Sequence, residues 1–279
     1  MELPLVQLKK IRDFGDVFND AFSFMRQEFK PLGKAVLKYS LPWLIVAAIL
    51  GVFINIKQQQ ITNGLLAAGP STNLSAVFGV YKYVFLAAII NLMGMSALQC
   101  IIISYLKLYA QKGQGNLESG EVWDEARQYL MPVILISILV FFVVFIGFML
   151  CIIPGIFLGV SLFAILYAYI IEEKNFADAF SRSINLTGQK WWMTLGIILI
   201  SMVLLYLLQI MFSIPAFILG FKTLFFNITQ QSVMNFSTGF YIVNSLTTLA
   251  SFLIFSLLLI IMAFHYYCLV ATSLGSSSI

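Results

Sequence analysis

The sequence predicts an all-α polytopic membrane protein with six transmembrane helices in three hairpins, each hairpin preceded by a cytoplasmic amphipathic helix. The first observation is composition, since 61% of the 279 residues are hydrophobic and 10% are charged, whereas soluble domains carry about 25% charged residues. The second is a series of apolar runs long enough to cross a bilayer. The third is an amphipathic segment that recurs before these runs. The composition excludes a soluble enzyme, a disordered chain and a disulfide scaffold.

The chain divides into an amphipathic helix over residues 1–34 and a membrane domain over residues 35–279. Each predicted span is close to or longer than the roughly 20 residues that a helix needs to cross the hydrocarbon core. The six predicted spans are residues 35–56, 80–108, 131–152, 155–171, 192–214 and 242–272. Residues 215–241, which follow Pro215, are expected to form an interfacial or partly re-entrant segment.

The third and fourth spans are separated by the sequence Ile153-Pro154-Gly155. Pro-Gly is a turn dipeptide, and here it stands inside an apolar stretch without charges. We therefore expect a tight helical hairpin that turns at these residues.

The distribution of charge predicts the orientation of the chain. All twelve acidic residues and all but three of the sixteen basic residues fall on one side of the six predicted spans. The three exceptions are Lys57, Lys82 and Lys222. Because lysine and arginine are enriched in cytoplasmic loops, this side and both termini are predicted to be cytoplasmic.

The N-terminal segment has the period of an amphipathic helix, which Pro31 is expected to end before the first span. Its apolar face is predicted to lie in the membrane interface or to pack against the protein's own loops, and both are possible together. Phe18 and Phe22 are the candidate lipid or partner contacts on this face. Glu28 is the one charged residue on this apolar face. The apolar positions are Phe14, Val17, Phe18, Ala21, Phe22, Phe24, Met25 and Phe29.

The N-terminal segment is repeated later in the chain. Residues 15–21 (GDVFNDA) and 120–126 (GEVWDEA) are identical at three of seven positions. A weaker copy at residues 176–180 (FADAF) leads through Trp191 and Trp192 into the fifth span. The repeat predicts three units of interfacial helix plus hairpin, with Trp123, Trp191 and Trp192 as further candidate contacts.

A resemblance is carried by residues 153–156 (IPGI), the acidic pair Glu172-Glu173 and residues 179–192, in which the sequence RSINLTG at 182–188 leads to tryptophan. The family pattern is RSxxLTxG, so Gly188 stands one residue earlier here than is usual. The chain resembles a family of bacterial integral membrane proteins related to the non-catalytic membrane domain of some glycerophosphoryl diester phosphodiesterases. The resemblance implies the bacterial inner membrane and the hairpin architecture. It implies no enzyme activity, because the phosphodiesterase reaction belongs to a separate soluble barrel.

Two residues are candidates for a polar site. His265 lies in the sixth predicted span, where an ionisable residue is a functional hypothesis, although a neutral histidine bonded to a neighbouring helix is the favoured interpretation. Arg182 is expected to hold either a lipid phosphate or an acidic loop of the chain, with the loop favoured; that loop contains Glu121, Asp124 and Glu125. The basic residues before the first span are interpreted as topology signals or, less favoured, as an attraction to anionic lipid.

No catalytic, cofactor or metal constellation is predicted, because His and Cys do not cluster and no acid lies deep in a span. The expected partners are membrane lipids and other membrane proteins, without nucleic acid. The favoured function is a non-enzymatic scaffold or subunit of a membrane complex. The alternatives are a transporter, channel or lipid-handling protein with a cavity reached by His265 or Arg182, and a membrane-remodelling protein that acts through the amphipathic helices.

Overall fold

The computed structural model describes residues 7–68, 74–112, 117–230 and 236–276. Within these ranges the chain forms helices and no strands, which confirms the all-α prediction. The helices are α1 (Phe14–Ala68), α2 (Leu74–Lys112), α3 (Ser119–Arg127), α4 (Leu130–Leu150), α5 (Ile152–Ser161), α6 (Ile165–Ile171), α7 (Phe176–Gln189), α8 (Trp191–Gln230) and α9 (Thr238–Ser276).

Six helical segments are long and apolar enough to cross a membrane, so the chain is a multi-pass membrane protein. The fourth segment combines α5 and α6, which are separated by a turn at residues 162–164. The segments are Pro42–Gly64, Tyr81–Lys112, Leu130–Leu150, Ile152–Ile171, Trp191–Thr223 and Thr238–Leu274.

The six spans alternate in burial along the chain. In the first, third and fifth spans, 11%, 17% and 11% of the most apolar stretch is buried within the protein. In the second, fourth and sixth, the buried share is 44% each time. Each hairpin therefore leaves its first span largely exposed and packs its second span against the rest of the chain, as a repeat of three similar units would.

The prediction that Pro31 ends the N-terminal helix is wrong. Helix α1 runs without a break from Phe14 through Pro31 into the first span, so residue 34 is not the end of a helix. A proline removes only one backbone donor, and the fully buried Ala35 and the neighbouring Val36, 5% exposed, hold the turn that follows it in place.

The segment after Pro215 is also helical where the structure describes it. Helix α8 continues through Pro215 to Gln230, and α9 begins at Thr238. The expected interfacial or re-entrant segment at residues 215–241 is therefore mostly the ends of two long helices. Residues 231–235 of this prediction lie outside the described residues.

The hairpin between the third and fourth spans turns at Cys151, just before the predicted turn at Ile153-Pro154-Gly155. Cys151 alone is extended, with φ −170° and ψ 155°, and separates α4 from α5. Pro154 lies in the first turn of α5, where its missing N–H is tolerated. The two helices approach so closely that a Cβ on Gly147 would stand 3.1 Å from the Cα of Gly155.

The chain divides into two compact units. The first, called the charged unit, comprises Met1–Tyr39, Ser96–Leu205 and Phe255–Ile279. The second, called the acid-free unit, comprises Ser40–Met95 and Tyr206–Ile254, and its sequence contains three lysines and no acidic residue. The uneven distribution of charge along the sequence therefore coincides with this division.

Candidate functional site

A buried lysine is the centre of the polar interactions in the charged unit. Lys107, on α2, has a side chain that is 4% exposed. Its Nζ donates to Glu125 Oε1 at 2.5 Å, to Glu173 Oε1 at 2.6 Å and to Tyr129 Oη at 3.0 Å. These four residues, called the lysine network, join α2, α3, the α3–α4 junction and the segment after α6. A buried ammonium requires such partners because desolvation is costly.

Glu173 is held in an unusual backbone conformation. Its φ is +52°, in the left-handed region that non-glycine residues rarely adopt. The carboxylate reaches Lys107 from there, and this hydrogen bond lowers the pKa of Glu173. Burial raises the pKa of the Tyr129 phenol, so it stays a neutral donor and acceptor beside the lysine.

The neighbouring Glu172 forms a second cluster. Tyr266 Oη donates to Glu172 Oε1 at 2.6 Å, and Arg182 Nε lies 3.2 Å from both carboxylate oxygens. Lys174 Nζ is 3.7 Å from the same carboxylate. This cluster connects the end of α6 to α7 and α9.

The predicted partner of Arg182 is therefore wrong, although the structural role predicted for it is supported. The acids of the expected loop pair elsewhere, Glu121 with Lys112, Asp124 with Arg127 and Glu125 with Lys107. The carboxylate that pairs with Arg182 belongs to Glu172, at the end of α6. The sequence alone does not show that these two residues meet.

A further buried ion, Arg12, fixes the N-terminal segment. Arg12 donates to Asp20 Oδ2 at 2.8 Å and to the carbonyls of Leu8 and Gln7, and its guanidinium lies 5.0 Å from the ring centre of Phe264. The Arg12 N–H donates to Cys268 Sγ at 3.2 Å. The N-terminal residues are thereby held against α9.

The repeat in the sequence corresponds to a repeat of this arrangement. Val17 and Ala21 in the first copy, and Val122 and Ala126 in the second, are fully buried. The acid that precedes the alanine accepts from a buried basic residue in both copies, Arg12 for Asp20 and Lys107 for Glu125.

The apolar face predicted for the N-terminal helix is divided in two. Val17, Ala21 and Phe24 are fully buried, and the following turn places Glu28 on the same stripe. There Tyr105 Oη donates to Glu28 Oε2 at 2.5 Å. Glu28 is therefore a buried hydrogen-bond acceptor that joins α1 to α2.

The other side of this face is open. Phe22 and Phe29 remain exposed, and Phe18 is half-buried with its ring centre 5.6 Å from that of Phe14. Packing against the chain accounts for one part of the predicted face, and the open part agrees with an interfacial position.

Of the three candidate tryptophans, Trp123 has a different aromatic partner from the adjacent pair Trp191 and Trp192. Trp123 stacks on Tyr39 with ring centres 4.8 Å apart and planes 4° from parallel. Trp191 stacks on Phe157 at 5.9 Å and meets Trp192 edge-on at 4.9 Å. Trp192 is 80% exposed. They therefore do not form one site.

His265 is fully buried and faces α8. Its Nε2 lies 2.8 Å from Thr194 Oγ1, and its ring stacks on Phe163 at 5.6 Å. Because the Thr194 hydroxyl donates to the carbonyl of Lys190 at 3.0 Å, the Nε2–H tautomer fits this contact. The arrangement agrees with a neutral histidine bonded to a neighbouring helix.

A small cavity of about 120 Å³ lies within the acid-free unit, lined by α1, α2 and α9. The Asn55 amide donates to the Gly51 carbonyl at 2.7 Å, and the Asn91 amide donates to the Ala87 carbonyl at 2.8 Å. Neither side-chain oxygen has a partner among the described residues, so both remain available as acceptors. Gln58, Ser245 and Thr248 complete the polar lining.

Sequence reasoning missed the most important of these residues. Lys107 was not singled out, although it lies inside both the predicted span at residues 80–108 and the second observed span, Tyr81–Lys112. Its position between Tyr105 and Tyr109 was the available signal, because a lysine among aromatic residues inside a span needs a partner. The convergence of Asn55 and Asn91 on one cavity depends on helix packing, which the sequence does not show.

The arrangement of the charged unit is one of paired ions. The carboxylates of Glu28, Glu125, Glu172 and Glu173 each accept from a side chain of the protein itself. In the described ranges, His, Cys, Asp and Glu form no group of three that could hold a metal ion. The contacts hold helix ends and loops together.

Comparison with protein families matches residues 125–269 to the family described as "Domain of unknown function (DUF7847)". The matched segment includes Glu125, Glu172, Glu173, Arg182 and His265, while Lys107 and the N-terminal helix precede it. Comparisons with curated proteins and with solved structures each gave no match. Because the matched segment covers more than half of the sequence, the chain belongs to the DUF7847 family.

Proposed function

We propose that the protein is a non-enzymatic scaffold or subunit of a membrane protein complex in a bacterial inner membrane, with both termini in the cytoplasm. The observation that carries this proposal is the exposure of whole spans. The first, third and fifth spans are mostly unburied within the chain, and they offer long apolar helix faces to other membrane helices.

The paired ions of the charged unit support the same proposal. Lys107, Arg12 and Arg182 are all neutralised by acids of the chain. Such pairs stabilise the ends of helices and leave the acids occupied, whereas general acid–base catalysis needs a titratable group within reach of a substrate. The orientation rests on the positive-inside rule.

Exposed aromatic side chains at the charged unit provide a possible docking rim. Trp192 is 80% exposed and Phe29 is 69% exposed. Aromatic residues are enriched both at membrane interfaces and at protein interfaces, so a test must compare them with aromatic residues elsewhere on the chain.

The test is affinity purification of the tagged protein from native membranes in a mild detergent, with mass spectrometry of the retained proteins. The proposal expects stoichiometric membrane partners, which Trp192→Ala/Phe29→Ala releases. The matched control is Tyr81→Ala/Phe85→Ala, which removes two aromatic side chains of the second span that are 64% and 69% exposed in the acid-free unit. Recovery of the wild-type chain alone would contradict the proposal.

The cavity of the acid-free unit favours a second candidate function, a passive transporter or channel. Its polar lining holds Asn55, Asn91 and Ser245 and no ionised group, which suits water or a small neutral polar solute. His265 and Arg182, expected to reach such a cavity, are absent from its lining.

Solute flux into vesicles tests this candidate. Asn55→Leu/Asn91→Leu is expected to reduce the flux of glycerol into vesicles containing the purified protein, because it fills the cavity and removes both acceptors. The control is Gln209→Leu, a polar residue of the same unit that is outside the cavity lining. Equal flux in vesicles with and without the wild-type protein would refute the transport function.

A further inference from the structure

Four basic side chains form a row along the N-terminal part of α1. Arg26, Lys30, Lys34 and Lys38 are spaced four residues apart, and all four are exposed. Residues at this spacing share a face of a helix, and the row is about 18 Å long at a rise of about 1.5 Å per residue. It ends four residues before Pro42, where the first span begins.

Within the described residues, the row lacks the acidic partners that six other basic residues of the charged unit have. Arg12, Lys107, Lys112, Arg127, Lys174 and Arg182 form ion pairs, and within the described ranges no member of the row does. Glu28 is the only acid in residues 21–117 of the sequence, and it is buried against Tyr105. The row therefore keeps its positive charge at the surface.

Two depressions lie along the row. At one end, Arg26 borders an apolar groove formed with Phe22, Met25, Phe29 and Leu257. At the other end, Lys34 and Lys38 border a cleft with Pro31, Ser119 and Gly120, which Glu118 also lines. Since Leu257 belongs to the sixth span, the groove lies between the row and a membrane-spanning helix.

We propose that Arg26, Lys30, Lys34 and Lys38 bind the phosphate headgroups of anionic phospholipids, with an acyl chain along the groove of Phe22, Met25, Phe29 and Leu257. The charge selects the headgroup, because basic residues at a membrane surface attract anionic lipid. The groove supplies the apolar contact that a soluble phosphate would not use. This inference holds whether the protein is a subunit or a channel.

The test measures lipid binding to the purified full chain in mild detergent by native mass spectrometry. Phosphatidylglycerol and phosphatidylcholine with the same acyl chains are the probes. The wild-type protein is expected to prefer phosphatidylglycerol, and Lys30→Gln/Lys34→Gln is expected to lower that preference roughly fivefold or more. Lys30→Arg/Lys34→Arg keeps the charge and is expected to keep the preference.

Lys9→Gln/Lys10→Gln is the matched control, because it removes two exposed lysines outside the row. It is expected to leave the preference near the wild-type value. Phe22→Ala/Met25→Ala is expected to weaken both lipids equally. An unchanged preference in Lys30→Gln/Lys34→Gln, an equal loss in the control, or displacement of the lipid by millimolar inorganic phosphate would overturn the proposal.

Discussion

The charged unit and the acid-free unit solve the problem of polar residues in a membrane protein in different ways. The charged unit buries ions and satisfies them with partners distant in sequence, such as Lys107 and Glu173. The acid-free unit uses amides and hydroxyls that bond mainly within their own helix, such as Asn55 to the Gly51 carbonyl. The first arrangement ties separate elements together, whereas the second adds only a few side-chain bonds between helices, such as Ser251 to Gln209.

This difference means that the two units should respond differently to substitution. Removing one member of a buried ion pair leaves an uncompensated charge, which costs several kcal/mol. Removing an amide that bonds within its own helix costs little, because hydrogen bonds inside membrane helices average about 0.6 kcal/mol. Packing defects should be costly in either unit.

The largest effect is expected for Glu125→Gln/Glu173→Gln. Both acids that face Lys107 are removed, and its ammonium stays buried with neutral partners. We expect a loss of about 3 kcal/mol in the free energy of unfolding, measured by titration with a denaturing detergent. The control is Asp124→Asn, which breaks an exposed pair with Arg127 and should change stability by less than about 0.5 kcal/mol. Equal losses of stability in the two variants would contradict the expected difference between the buried and the exposed ion pairs.

The acid-free unit should be sensitive to packing. A Cβ on Gly94 would lie 2.7 Å from Trp43 Nε1 and 3.0 Å from Trp43 Cδ1. Gly94→Ala is therefore expected to destabilise the protein by about 2 kcal/mol in the same titration. Gly64→Ala, where a Cβ meets nothing within 4 Å, should be neutral or slightly stabilising. A neutral Gly94→Ala would show that this packing is loose.

Acidification should weaken the charged unit through Glu173. Its pKa is lowered by Lys107 from the ordinary value of 4.5, so its contribution is present above that pH and is lost as the pH falls through the lowered value. The thermal unfolding midpoint should fall as the pH is lowered below the ordinary value of 4.5. Glu173→Gln should show a smaller fall, since glutamine does not titrate, and an identical fall would exclude this role of Glu173.

The smallest effect is expected for Asn55→Leu. Its amide hydrogen bond stays within α1, and leucine places apolar surface in a span, so the free energy of unfolding should change by less than about 0.6 kcal/mol. The same titration checks this prediction, with Asn91→Leu as the parallel case. A loss near 3 kcal/mol would show that the acid-free unit also depends on its polar residues.

The fold was largely predictable because the membrane imposes simple rules on the sequence. All six spans were expected, since apolar length alone identifies them. The errors concern proline. Pro31, Pro154 and Pro215 were each taken as breaks or turns, but α1, α5 and α8 contain them. A proline in a long apolar helix removes one hydrogen bond, and the neighbouring packing compensates for it.

The polar contacts were less predictable. The bond of His265 to a neighbouring helix agrees with the favoured interpretation, which rested on the position of His265 inside a predicted span. The pairs of Lys107 with Glu173 and of Arg182 with Glu172 depend on where the end of α6 meets other elements. A single sequence does not specify such long-range contacts, and the repeat that relates Asp20 to Glu125 was the nearest available guide.

The central claim is that the buried charges of the charged unit serve to hold it together. The most direct test adds Lys107→Met to Glu125→Gln/Glu173→Gln and compares the free energies of unfolding in a double-mutant cycle. Removing the orphaned ammonium should restore at least half of the stability lost by the two acid substitutions. Additive losses, with the triple variant less stable than either parent, would contradict the claim.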